Sequence, residues 1–396
     1  MTTTKTFGAV GLDAGSTWTR CVVCALEEGR LRFLGYAKTA SQGWKKGRIF
    51  DQGAAAGSML KALREAQHAA QAPVGSAVVG VGANVRGHNG RRTLDLGGPR
   101  KVTQRDVNHA MERAAHVQLP DDRKVLHMLP QDFVVDGHPG HRDPRGMVAA
   151  ELVANVYLVT TSEHEHDCLV DAVNQAHVSV EETVYEALAA CYAAVLPEER
   201  RQGVALLSVG AHSTELIVYY GDTAHLAMSF PISGDHFTRD VARGLSISFE
   251  DAVHIKHEFG CARAESTPEN SVVEVPSRGN RDVPRRTLNR ILEARAEELF
   301  GYVQRELARV GMQGALAGGL FLAGGGARLD GMCDLAERTL QCEARNALPT
   351  GIQDWPDEIN DPTWTTAAGL AMYSAKLNSQ GEATRRAQGL LGRIAK

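Results

Sequence analysis

The sequence lacks the features that mark secreted, membrane-spanning and nucleic-acid-binding proteins. None of its apolar runs reaches the roughly 18 residues that a transmembrane helix needs. Its first residues, MTTTKTF, contain no apolar secretory core. The net charge of −4 provides no excess of positive charge, so we expect no nucleic-acid partner. The 7 cysteines are odd in number and scattered, which predicts a reduced, cytosolic chain.

What remains is the composition of an ordinary globular protein, with 43% hydrophobic and 23% charged residues. A length of 396 residues suggests two or three domains. The 40 glycines cluster at turns, and three of these turns carry the functional argument.

The first of these turns lies in residues 204–220, VALLSVGAHSTELIVYY. Two apolar runs enclose a stretch of small residues, a pattern that predicts a β-hairpin. The main-chain N–H groups of such a turn point toward one place, which suits an anion such as phosphate. Gly210, Ala211 and His212 are therefore candidate phosphate contacts. His212 could also orient a water molecule, although an ordinary turn residue is the simpler interpretation.

The same pattern occurs near the N-terminus, in residues 10–26, VGLDAGSTWTRCVVCAL. Aligning the two turns pairs Asp13 with Ser208, and it pairs Gly15 with Gly210. Asp13 ends a predicted strand and is a candidate Mg²⁺ ligand acting through water, with hydroxyls available from Ser16 and Thr17. The alternative is a hairpin turn in which Asp and Gly are simply common. Two copies predict two similar domains that face one phosphate ligand.

A third glycine turn, Gly324, Gly325 and Gly326, follows a predicted strand at 316–322 and precedes a helix at 331–340. Residues 184–195 read as a helix, and 197–203 as a charged connector between the halves. Residues 84–161 differ in character, since a helix at 103–116 and strands at 124–135 and 149–161 predict a small inserted α/β subdomain.

The last residues, 384–396 (TRRAQGLLGRIAK), have the outline of a basic amphipathic helix at a membrane surface. Apolar and basic side chains alternate at helical spacing, which predicts weak binding to anionic lipid that an array of tails would strengthen. A frayed basic tail is the alternative. The candidate membrane contacts are Arg385, Arg386, Leu390, Leu391, Arg393, Ile394 and Lys396.

The chain resembles the FtsA family of bacterial cell-division proteins, within the actin-like superfamily that also contains the sugar kinases. The similarity covers nearly the whole chain. It rests on segments in the family's order and spacing: GLDAGST, KKGRIFD, VTQRDVNHAMERA, LHMLPQDFVVDG, DPRGM, SGDHFTRDVARGL and FLAGGGARLDGM.

The resemblance implies an actin-like α/β fold of two duplicated domains with an interdomain nucleotide cleft and an inserted small α/β subdomain. The expected units are a first core at 1–83 and 162–198, the insert at 84–161, a second core at 199–230 and 315–378, a small subdomain at 231–314, and a linker with a membrane tail at 379–396.

The resemblance also implies a protein that binds ATP and Mg²⁺, forms filaments with itself, and binds the C-terminal tail of FtsZ through residues 232–314. Such a protein holds the FtsZ ring to the cytoplasmic face of the inner membrane at the septum and contacts other division proteins through the insert. It adds Gly234, Asp235 and Lys256 to the expected nucleotide contacts.

Three positions depart from the family pattern. Ser208 stands where the second phosphate turn normally begins with Asp, Ser233 replaces one glycine of a pair, and Val253 replaces the Glu of a Glu-x-x-Lys pattern. The missing Asp removes a charge that would organise Mg²⁺ and the attacking water, so we expect weak or no ATPase activity. An ATPase or kinase of the same superfamily and a pilus-assembly scaffold are the alternatives.

Overall fold

The fold is described by a computed structural model that covers residues 7–275 and 281–394, with the backbone alone from residue 381 onward. Among these residues, no helix combines the length and the apolar character needed to cross a membrane.

The strands and helices alternate in an order typical of an α/β protein. The strands are β1 (Phe7–Ala14), β2 (Trp18–Glu27), β3 (Arg30–Ala40), β4 (Trp44–Lys45), β5 (Arg48–Ile49), β6 (Ser76–Val81), β7 (Arg86–Lys101), β8 (Arg123–Val135), β9 (His138–His141), β10 (Val148–Ser162), β11 (Ser179–Tyr185), β12 (Val204–Val209), β13 (Thr214–Tyr220), β14 (Thr223–Phe230), β15 (Val272–Val275), β16 (Arg281–Pro284), β17 (Leu320–Ala323), β18 (Ala344–Asn346) and β19 (Ile352–Gln353). The α-helices are α1 (Gln52–Ala70), α2 (Gln104–Ala115), α3 (Glu163–Gln175), α4 (Glu186–Ala194), α5 (Pro197–Gln202), α6 (Gly234–Leu245), α7 (Phe249–Phe259), α8 (Arg285–Arg309), α9 (Met332–Leu340) and α10 (Thr365–Ile394).

The two halves of the chain are built on the same strand order. The first sheet runs β11-β6-β1-β2-β3-β19, and the second begins β18-β17-β12-β13-β14. In each half, an antiparallel three-stranded meander is joined at its first strand to two parallel strands. Parallel neighbours require crossover connections, which the helices supply. The duplication expected from the two hairpins is therefore confirmed.

The inserted subdomain contributes strands to the second sheet. Strand β7 pairs with β14 at Arg86 and Met228, and the sheet continues through β10 and β8 to β9. Helix α2 covers this extension, and Thr103 and Asp106 form a reciprocal capping box at its start. The insert packs its own apolar core, which includes Phe133, Leu152 and Leu158.

Helix α10 packs against α4 and β1, and α4 in turn packs against β12 and β13 of the second sheet. A β-carbon added at Gly369 of α10 would lie 1.8 Å from the carbonyl oxygen of Ala189 in α4. One added at Gly11 of β1 would lie 2.3 Å from the carbonyl oxygen of Ala367. Only glycine permits these two backbone approaches, so both positions fix how α10 lies on α4 and β1.

The structure contains the helix expected at 184–195 and the connector expected at 197–203, and it corrects the start of the first and the conformation of the second. The helix expected at 184–195 begins at Glu186, because Val184 and Tyr185 complete the buried strand β11 beside β6. The connector expected at 197–203 is a short helix, α5, with Pro197 at its first position, where a missing N–H costs nothing.

Candidate functional site

The first phosphate turn joins β1 to β2. Asp13 lies one residue before the end of β1 and pairs in register with Arg20. It is buried, and its carboxylate lies 3.7 Å from the Arg20 guanidinium. Burial raises the pKa of Asp13 to about 6, against the opposing effect of Arg20. The charge of Arg20 therefore offsets only part of the cost of burying the Asp13 carboxylate.

The second turn joins β12 to β13 with the same backbone. Ser208 pairs with Glu215 as Asp13 pairs with Arg20. A β-carbon at Gly210 would lie 2.9 Å from the carbonyl oxygen of Ser213, and one at Gly15 would lie 2.8 Å from that of Trp18. Gly15 and Gly210 are therefore equivalent, because in both turns a side chain would clash with a backbone carbonyl oxygen.

The two turns contact each other through side chains. Ser16 Oγ of the first turn lies 2.7 Å from His212 Nδ1 of the second. The other ring nitrogen of His212, Nε2, lies 3.3 Å from an Asp235 carboxylate oxygen. Three residues from separate segments of the sequence thus meet at one point between the halves. Thr17, by contrast, lies at the exposed tip of its turn.

The start of α6 is anchored to the second turn. The backbone N–H of Gly234 donates to the Gly210 carbonyl oxygen at 2.8 Å, and that of Asp235 donates to the Ala211 carbonyl oxygen at 2.8 Å. Lys256 Nζ donates to the carbonyl oxygen of Gly234 at 3.3 Å and to Thr238 Oγ1 at 2.8 Å.

Lys256 is therefore engaged beneath the first turn of α6. Burial lowers the pKa of its ammonium group to about 8, against the opposing effect of Asp235. The residue that resembles the ribose-contacting lysine of the family supports the N-terminus of α6 in this structure.

The third glycine turn lies beside the second. The N–H of Gly324 donates to the carbonyl oxygen of Pro362 at 2.9 Å. A β-carbon at Gly326 would lie 2.4 Å from a methyl carbon of Val209, the last residue of β12. Gly325 has open space at the same position, and the turn continues as a 3₁₀-helix to Arg328. The first two turns are thus in contact, and the third lies beside the second, at the ends of the neighbouring strands β12 and β17.

Sequence reasoning missed two carboxylates at the expected nucleotide cleft. A β-carbon at Gly82 would lie 2.5 Å from Glu186 Oε2 and 2.9 Å from Glu215 Oε1, so the two side chains converge there. Burial raises the pKa of Glu215 to about 8, hydrogen bonds from Ser213 and Ser208 lower it, and Asp13 raises it. Burial and the charges of Glu215 and Asp13 also hold the pKa of Glu186 well above its usual range.

A signal for Glu186 was present in the sequence, because it opens a helix directly after a buried strand, where a side chain projects from the sheet edge. The expectation of a helix from residue 184 placed it in a helix interior. Glu215 carried a weaker signal, as the one acidic residue in an apolar strand.

The cleft residues fit a nucleotide phosphate with its magnesium ion better than a directly bound metal. Within residues 7–275 and 281–394, no three His, Cys, Asp or Glu side chains are placed to hold a metal ion directly. Glu215 Oε1 is buried without a hydrogen-bond partner, so the site has an unused acceptor. Asp13 can hold the ion's water shell, which Mg²⁺ retains.

The expected membrane tail is only partly described. Helix α10 includes six of the candidate membrane contacts, and the structure describes only their backbone: Arg385, Arg386, Leu390, Leu391, Arg393 and Ile394. Lys396 lies outside them altogether.

Comparison with known proteins identifies the family. A model named "SHS2 domain inserted in FTSA" matches residues 82–160, and one named "Cell division protein FtsA" matches residues 205–369. The FtsA protein of Pseudomonas aeruginosa is 31% identical over 378 residues, which are 94% of this chain and 90% of that protein. The chain belongs to the FtsA family. The FtsA proteins of Borreliella burgdorferi and Escherichia coli K12 are 31% and 28% identical to this FtsA-family chain, over 92% and 94% of its length and 90% and 92% of theirs.

Solved structures show the same actin-like fold at low identity. The PilM-PilN type IV pilus biogenesis complex matches with a TM-score of 0.67 and 17% identity, over 92% of this chain and 98% of the other. MreB5 of Spiroplasma citri bound to ADP matches with a TM-score of 0.55 and 12% identity, over 95% and 98%. The predicted fold class, including its inserted subdomain, is therefore confirmed.

Proposed function

We propose that this FtsA-family chain binds ATP with Mg²⁺ between its two halves and works as a cell-division scaffold. The observation that carries the nucleotide site is the contact of the two phosphate turns, with Ser16 Oγ 2.7 Å from His212 Nδ1. Turns of this kind present several main-chain N–H groups to one point, and the contact between two such turns supports a shared phosphate site.

Each part of the cleft has a role in this proposal. The backbone of 14–17 and 210–213 holds the phosphates, and the turn at Gly324, Gly325 and Gly326 lies against the adenosine. Asp13 holds the water shell of Mg²⁺, which neutralises phosphate charge when bound. MreB5 of Spiroplasma citri, which shares the fold, was solved with ADP, and this supports the site.

The nucleotide serves mainly as a structural and polymerisation ligand in this proposal. Ser208 is neutral, so the second turn lacks the charge that would organise an attacking water. Slow hydrolysis is the second candidate, because the acidic side chain of Glu186 lies close enough to Asp13 and Glu215 to interact with their charges. Phosphate release measured during the binding experiment separates the two.

The nucleotide proposal is tested by calorimetry of Mg·ATP binding to the full chain. We expect saturable binding that Asp13→Ala weakens, because the substitution removes the carboxylate that holds the ion's water shell. Asp171→Ala is the matched control, since Asp171 is exposed on α3, a helix that carries none of the cleft residues. Equal binding by both variants, or no binding by the natural sequence, would contradict the proposal.

Family membership supports the scaffold role. In this proposal the chain binds the FtsZ C-terminal tail through 232–314, forms filaments with itself, and holds the FtsZ ring to the inner membrane at the septum, with the insert contacting other division proteins. Its last residues bind anionic lipid in this proposal.

Vesicle sedimentation and peptide pull-down test these steps. Deleting residues 383–396 should release the chain from anionic vesicles, and unchanged sedimentation would refute the tether. An FtsZ tail peptide should retain the chain, whereas a pilus inner-membrane peptide should not; the reverse result would favour the pilus-assembly alternative.

A further inference from the structure

A chain of side-chain contacts, Ser16 to His212 to Asp235, joins the two proposed phosphate turns and the start of α6. We propose that His212 is a latch: through its hydrogen bond to Ser16 it holds the two phosphate turns together, and the nucleotide must break this bond to bind. The inference rests on the proposed nucleotide site and assigns a regulatory contact within it.

The hydrogen-bond roles in this chain are set by Asp235. Because Asp235 is an acceptor, His212 Nε2 must carry a proton to bond with it at 3.3 Å. In the neutral imidazole, Nδ1 is then an acceptor, and the Ser16 hydroxyl donates to it at 2.7 Å. A serine hydroxyl has one proton, so Ser16 cannot donate to a phosphate and to His212 at the same time.

In the second half, Asp235 is held in place by further contacts. The backbone N–H of Asp235 donates to the carbonyl oxygen of Ala211, the residue next to His212, at 2.8 Å. An Asp235 carboxylate oxygen also lies 3.4 Å from an Arg239 guanidinium nitrogen. These contacts fix the carboxylate that orients the imidazole ring.

The first half encloses His212 from a second side. A β-carbon added at Gly47, in the turn between β4 and β5, would lie 3.0 Å from the β-carbon of His212. Gly47 also has a positive φ of 77°, which suits glycine. His212 is thus flanked by two turns of the first half, and its side chain is only 23% exposed. Opening the cleft has to pull it away from both.

The latch predicts an unusual result for a residue in a binding site: removing it should tighten binding. Without His212, the Ser16 hydroxyl is free for phosphate, and no hydrogen bond is lost on binding. A net hydrogen bond of ordinary strength corresponds to roughly three- to tenfold in affinity for Mg·ATP.

Calorimetry with Mg·ATP on the full chain measures this change in His212→Ala, with His212→Asn as a second variant whose side chain is too short to span to Ser16. His109→Ala, on the exposed face of α2, is the control. Unchanged or weaker binding by both His212 variants, beside a natural chain that binds, overturns the latch and leaves the nucleotide site intact. No binding by any variant overturns both proposals.

A double-mutant cycle isolates the contact between the two side chains. In a Ser16→Ala background the hydrogen bond is already absent, so His212→Ala should no longer tighten binding. The same gain in both backgrounds would show that His212 acts without Ser16 and would overturn the latch.

Hydrogen exchange without nucleotide provides a readout that is independent of binding. We expect His212→Ala to speed amide exchange at residues 14–17 and 209–213, in turns of both halves, because the latch protects both. His109→Ala should leave these amides unchanged. Faster exchange confined to 209–213 would mean that His212 stabilises only its own turn, contrary to the proposal.

Discussion

The two halves of the protein share a strand order but differ in charge at their phosphate turns. In the first turn Asp13 lies opposite Arg20, whereas in the second Ser208 lies opposite Glu215. The glycines that shape the turns are kept at equivalent places, Gly15 and Gly210. The comparison teaches that backbone geometry is the constrained part of the repeat, while the charges on it are free to diverge.

Because the charges differ, the buried carboxyl group of the second turn has weaker partners than that of the first. Asp13 has a guanidinium 3.7 Å away, whereas Glu215 has hydroxyl donors and one buried oxygen without a partner. The pKa of Glu215 is accordingly raised further, to about 8, than that of Asp13, to about 6. The second half therefore carries the larger electrostatic cost at neutral pH.

The largest effect is expected where α10 packs directly on the backbone of α4. Gly369→Val would add a side chain whose β-carbon alone would lie 1.8 Å from the carbonyl oxygen of Ala189. Because backbone cannot yield as a flexible side chain does, α10 must move away from α4, which should cost more than about 4 kcal/mol or prevent folding. Urea denaturation, or the soluble yield, measures the loss.

Gly57→Ala on α1 is the matched control. An added β-carbon there meets no atom within 4 Å, and the helix favours alanine. This variant should gain about 0.4–1 kcal/mol. A Gly369→Val protein as stable as the natural chain would mean that the close approach of α10 to α4 is not needed for stability.

The next largest effect is the pH dependence of stability that Glu215 of the second turn should cause. Since the pKa of Glu215 rises from 4.5 to about 8 on folding, the folded chain holds more protons than the unfolded chain between these values. The free energy of unfolding should therefore fall as the pH rises through this window. Glu215→Gln should remove roughly 4 kcal/mol of this loss at pH 8 and change little at pH 4.

Denaturation at several pH values measures the two profiles. Asp13→Asn is the comparison for the first turn, because its raised pKa of about 6 confines its effect to lower pH. Parallel profiles for the natural chain and Glu215→Gln between pH 6 and 8 would contradict the assignment of this loss to the second turn.

The sequence was sufficient for most of the fold, because the two hairpins and the insert are local patterns of apolar runs and turns. The capping residues Thr103 and Asp106 are likewise local, and the structure shows their reciprocal hydrogen bonds. The start of α4 was missed because the helical spacing of apolar residues extends back into β11, where pairing with β6 overrides it.

The site was harder to predict, since its contacts join distant segments. Ser16 and His212 are 196 residues apart, and no local pattern links them. Glu186 and Glu215 converge beneath Gly82 only because three strands of two sheets meet there. Lys256 was expected at the ligand from a family pattern, whereas its contacts are to the backbone and hydroxyl of α6.

The smallest effect concerns the residue that distinguishes the second turn from the first. Ser208 donates a hydrogen bond that lowers the pKa of Glu215, as does Ser213 to a greater extent. Ser208→Ala should therefore raise the pKa of Glu215, extend the fall in stability to higher pH, and cost about 1 kcal/mol above pH 8.

Ser213→Ala is the matched variant, and it should act in the same direction with a larger shift. Denaturation profiles between pH 5 and 9 compare the two with the natural chain. If Ser208→Ala leaves the profile in place while Ser213→Ala shifts it, then the hydroxyl at 208 has no electrostatic effect on Glu215. The asymmetry of the two turns would then lie in the charge of Asp13 alone, with Ser213 as the donor that holds Glu215.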